Sequence, residues 1–80
     1  MRFCHRKKDI MYHIVLETEF NQKRFLITDH IPNFGSFLFV YENDFCTYDY
    51  FQNSIQFCKE TALEEFGVPM DSWKEVDYMM

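Results

Sequence analysis

The sequence predicts an α+β domain: an antiparallel meander of three or four strands, one long C-terminal helix packed on one face, and a short terminal helical turn. Period-two alternation begins at Tyr12, turn residues cut the first half of the chain into short extended runs, and helical spacing takes over after Asn53. Connections this short favour antiparallel neighbours. Eighty residues suffice for one core only. We therefore expect a single domain over 11–80, preceded by a flexible basic arm over 1–10.

The first strand comes from Tyr12, Ile14, Leu16 and Thr18, which alternate with His13, Val15, Glu17 and Glu19. Asn21 and Gln22 supply a turn, and Lys23 to Asp29 forms the second extended run. Pro32, Asn33 and Gly35 then mark a loop. Ser36 to Tyr41 is almost continuously apolar, Glu42 to Asp44 is the next turn, and Phe45 to Tyr50 is a fourth, shorter strand of β-favouring residues.

The helix opens with Asn53 as its expected cap and Gln56 three residues on. Ile55, Cys58, Ala62 and Phe66 share one face, widened by Leu63, while Lys59, Glu60, Glu64 and Glu65 face away. Gly67 suits a left-handed stop, Val68 can fold back onto the last turn, and Pro69 prevents continuation. Ser72 with Glu75 repeats the capping signature. A last helical turn is therefore expected over Trp73 to Tyr78, with Trp73 and Val76 on one face.

Composition narrows the function. With 48% hydrophobic and 20% aromatic residues the chain is not intrinsically disordered. Eight Lys and Arg against 13 Asp and Glu give a net charge of −5, which disfavours a general nucleic-acid binder. Charge is also segregated. Arg2, Arg6, Lys7 and Lys8 lie in the first eight residues; the remaining four bases face all 13 acids, 4 − 13 = −9. The arm is either a functional extension or dispensable, Met11 being an equally good start. No apolar run approaches a membrane span, and the stretch behind the arm is a poor signal peptide. Three cysteines, Cys4, Cys46 and Cys58, without close pairs predict reduced thiols and a cytoplasmic protein. Metal-ligand spacing is absent, and no cofactor motif is present.

No catalytic signature survives either. A nucleophile elbow and a phosphate loop are both missing, and a Cys46 or Cys58 pair with His13 or His30 is the remaining enzymatic alternative. The informative feature is apolar excess. Phe37, Phe39 and Tyr41 point to one side of the third strand, Leu38 and Val40 to the other, and one helix covers one face. Either the chain's own ends cover the second face or a partner does, and a two-fold-related copy is the simplest partner. The expected function is thus a non-enzymatic protein-binding or regulatory module and homodimer. Phe37, Phe39 and Tyr41 would make the apolar contact, and Glu60, Glu64 and Glu65 would select a heterologous protein partner. Residues 41–80 hold nine acids and two bases, 2 − 9 = −7, a surface that could enter a basic groove on a nucleic-acid enzyme as an inhibitor or immunity protein does. The alternative of a single-strand nucleic-acid platform lacks a surrounding cationic field.

The segment Ala62 to Trp73, A-L-E-E-F-G-V-P-M-D-S-W, resembles the ending of small uncharacterised bacterial proteins. In layout the chain is also distantly similar to HicB-type antitoxins, which implies a β-β-β-α domain that blocks a small RNase toxin. Where that family has a Pro-Gly-Cys turn, this chain reads Ile31-Pro32-Asn33-Phe34-Gly35.

Overall fold

The computed structural model describes residues 12–32 and 34–79; the basic arm expected over 1–10 lies outside them. Five strands form one antiparallel sheet: β1 (His13–Phe20), β2 (Lys23–Thr28), β3 (Ser36–Glu42), β4 (Phe45–Gln52) and β5 (Lys74–Met79), in the order β4-β3-β2-β1-β5. A single helix, α1 (Ile55–Phe66), packs on β2, β3 and β4 and carries the chain back to the β1 side of the sheet. The class remains α+β, but the predicted architecture is wrong. The sheet has five strands, the helix has only 12 residues and is not C-terminal, and the segment expected as a last helical turn is an edge strand paired with β1.

Tight turns explain the meander. Asn21 and Gln22 (φ 56° and 67°), then Asn43 and Asp44 (φ 53° and 69°), place both central residues in the left-handed region, as a type I′ hairpin requires. Between β2 and β3 the loop closes on itself through Ile31 N–H to the Gly35 carbonyl (2.8 Å). Gly35 has φ 139°, and a Cβ there would lie 2.1 Å from the Gln52 carbonyl oxygen. Only glycine lets β3 start this close to the end of β4.

Two bulges decide which side chains share a face. β1 carries one between Ile14 and Leu16, so Ile14 and Leu16 point to opposite faces despite their even spacing. β4 carries the other at Thr47: Tyr41 pairs with Cys46 but Val40 with Tyr48. Cys46 therefore joins the back face while Tyr48 and Tyr50 turn towards the helix, where both contact Phe66. Uninterrupted period-two alternation would have put Cys46, Tyr48 and Tyr50 on one side, and the bulge separates them.

The helix-side core contains Phe25, Ile27, Leu38, Val40, Cys58, Ala62 and Val68, all fully buried. Trp73 and Phe66 close it, edge-on to Phe25 at 6.4 and 5.3 Å. The back face holds Ile14, Leu26 and Phe39, flanked by Tyr12, Phe37, Tyr41, Val76 and Tyr78. Trp73 and Val76 thus fall on opposite faces, as period two requires of residues three apart.

Ser54, rather than Asn53, caps α1, its Oγ accepting from the Phe57 N–H at 3.2 Å. The stop is as expected: Gly67 is left-handed (φ 81°), its N–H reaches the Leu63 carbonyl, and the Val68 N–H returns to that of Ala62. Ser72 caps nothing. Its hydroxyl donates to the Pro69 carbonyl, and Thr18 donates to the Ser72 carbonyl, which pins the entry to β5 against β1.

Candidate interaction surface

The six residues singled out as an interaction site lie on two opposite sides of the sheet. Helical periodicity buries Cys58 and Ala62 and sends Glu60, Glu64 and Glu65 outward. Gln56 donates from Nε2 to Glu60 Oε2 at 3.2 Å, the i,i+4 geometry that orients a carboxylate along the helix surface. Two large apolar side chains share this outer surface, Phe57 at 48% exposure and Leu63 at 42%. Lys59, the only base on α1, instead lines a groove of about 380 Å³ with Val15, Leu16, Ile55, Glu75 and Val76. There is no acid in the first helical turn and no base in the last. Glu64 and Glu65 therefore stand at the end where the helix dipole is already negative. Each opposes the local field, and together they concentrate negative potential.

The aromatic triplet is a different object. Phe37 and Phe39 stack at 5.5 Å with ring planes 5° apart, and Tyr12 sits edge-on to both at 5.5 and 5.3 Å. Phe39 is only 3% exposed, so it belongs to the core and cannot be a contact residue. Phe37 and Tyr41 are half-buried at the rim. Beside them is a residue the sequence reading missed: Phe51, 48% exposed, whose ring lies 4.9 Å from that of Phe37. The expected strand end at Tyr50 left it out, although Phe51 continues the alternation of Asp49 with Tyr50. Phe45, 74% exposed, lies on the same edge strand.

The remaining chemistry is structural in character. Cys58 is wholly buried, donates weakly to the Ser36 carbonyl at 3.6 Å, and is pushed up to about 12 by desolvation, so it stays a thiol at neutral pH. Cys46 is disulfide-bonded, which departs from the expectation that the cysteines are reduced thiols. His13 contacts carboxylates on both ring nitrogens, so the imagined pair of His13 with Cys58 does not form. Among the described residues no three His, Cys, Asp or Glu side chains are grouped to hold a metal ion. No helix there is long and apolar enough to cross a membrane.

No protein-family model matches this chain, and no curated protein or solved structure matches it. The resemblances drawn from the Ala62–Trp73 segment and from the strand layout find no support in those comparisons.

Proposed function

We propose that this protein is a non-enzymatic binding module whose α1 outer surface docks a basic protein partner, such as the cationic groove of a nucleic-acid enzyme. The observation that carries this reading is the placement of Glu64 and Glu65 in the C-terminal turn, with Glu60 and the exposed Phe57 and Leu63 alongside. Carboxylates at that end cost the helix about 0.3–1 kcal/mol each at low salt. Paired with Lys or Arg on a partner, the same charges speed encounter and fix orientation, while Phe57 and Leu63 supply apolar area. The back face supports this role less well, since its centre is already buried and its rim aromatics are half-buried except for Phe51.

The test is the triple reversal Glu60→Lys, Glu64→Lys and Glu65→Lys. Because bases suit the last turn, the variant folds and unfolds at least as late in urea as the wild type. It loses capture of the basic partner from the native cell, and wild-type capture weakens steeply as salt rises. Capture that survives both the reversal and high salt removes the proposal.

A further inference from the structure

We propose that His13 is a pH-operated latch that holds the edge strand β5 onto the sheet. β5 is the least anchored element. Among the described residues it pairs only with β1, its backbone makes no close contact with that of α1, and none of its six residues is fully buried. An element so placed opens at low free-energy cost unless side chains tie it down.

His13 does so from the helix side. Its Nε2 lies 2.6 Å from Asp77 Oδ1 on β5, and its Nδ1 lies 3.4 Å from Asp29 Oδ2 in the segment leaving β2. Asp29 is itself held in place: its backbone N–H donates to the His13 carbonyl at 2.8 Å, and its Oδ1 accepts the His30 N–H at 2.8 Å. One imidazole thus sits between two carboxylates brought in by three segments. An imidazolium has two N–H donors and satisfies both, whereas a neutral ring has one. Once the proton leaves, one carboxylate faces a lone pair, and the surviving bond loses the attraction of the imidazolium charge for its carboxylate.

The charged cluster that clamps this strand from the back face cannot produce the same response. On the back face Tyr78 donates to Glu17 Oε1 at 2.6 Å, and Arg24 donates to both at 3.1 and 3.4 Å. Hydrogen bonding from Tyr78 holds the Glu17 carboxyl below its ordinary range, burial pushes the Tyr78 phenol up, and the Glu17 carboxylate holds the Arg24 guanidinium up. None of these changes charge between about pH 5.5 and 8, where histidine titrates. The Asp77 hydrogen bond raises His13 above its ordinary value, with Asp29 adding to it. The latch is therefore complete below the ordinary histidine range and released as pH rises through the raised value.

Amide hydrogen exchange tests this on the full chain. At about pH 5.5 and about pH 8, the protection of the β5 amides is divided by that of the β3 amides, each corrected for its intrinsic rate. The ratio falls about two- to fivefold at the higher pH in the wild type, as expected for a solvent-exposed pair. It becomes pH-independent in His13→Gln and Asp77→Asn, and it still falls in His30→Gln. A wild-type ratio unchanged between the two pH values, or a fall retained in His13→Gln, overturns the proposal. An NMR titration of the wild type needs no variant: the β5 amide shifts follow the His13 ring with one midpoint, and separate midpoints also overturn it.

Discussion

The two faces of this sheet are built from alternate residues of the same strands, yet they are closed in different ways. On one, α1 lies over β2, β3 and β4, and seven residues are fully buried. On the other no helix lies among the described residues, and Ile14, Leu26 and Phe39 are buried at the centre of a ring of half-buried aromatics in which Tyr12 packs edge-on to Phe37 and Phe39. A bulky ring can cover its neighbour, since aromatic pairs in edge geometry bury large areas. A face without a helix is therefore closed at its centre by its own aromatics and open only at its rim. The β5 end differs again. It is held by polar clamps on each side, His13 with Asp77 on the helix side and Tyr78 with Glu17 and Arg24 on the back.

Truncating one phenylalanine on each side separates the two faces. Phe25→Ala, inside the shell of Phe66 and Trp73, lowers unfolding free energy by about 4 kcal/mol. Phe39→Ala lowers it by about 3 kcal/mol, because its ring is packed between Phe37 and Tyr12. Urea denaturation measures both. A loss below about 1 kcal/mol at Phe39 would mean that the back face is open after all. For the same reason Phe39→Ser lowers stability and cannot serve as a clean probe of self-association.

The back clamp is sharpened by Tyr78→Phe, which removes the donor to Glu17. The expected loss is about 1 kcal/mol at neutral pH, less than for a buried charged pair because Glu17 and Arg24 are both partly exposed. Since the folded Glu17 carboxyl is held low, this contribution is complete above the ordinary glutamate value and disappears as pH falls through the lower folded one. The Tyr78→Phe and wild-type denaturation midpoints therefore converge as pH falls below the ordinary glutamate range. The His13 latch has the opposite sign and weakens as pH rises. The smallest expected effect serves as a control for both faces. Gln22→Gly relieves a left-handed residue with a side chain in the first hairpin and stabilises the sheet by about 0.5 kcal/mol, read as a higher thermal midpoint.

Four strands, three turns and the helix stop were legible because their signals are local. Asn and Asp tolerate left-handed turns, and Gly67 with Pro69 ends a helix wherever it occurs. The fifth strand was misread although Val76 and Tyr78 alternate with Glu75 and Asp77. Six residues carry too little periodicity to outweigh a Ser72–Glu75 capping match, and only pairing with β1 satisfies that backbone. The placement of the six candidate residues was half legible. The outward position of Glu60, Glu64 and Glu65 followed from helical spacing, but the burial of Phe39 did not, because it depends on packing by Tyr12 and Phe37.

From its residues alone this chain determines where it turns, where its helix stops, and that it carries more apolar surface than one helix can cover. Those properties depend on backbone preferences and hydration over a few neighbouring residues. The structure decided the strand order, the two bulges and the partners of His13 and Tyr78. Each of these joins residues distant in sequence, and one extra residue in a strand reverses the face of every side chain beyond it.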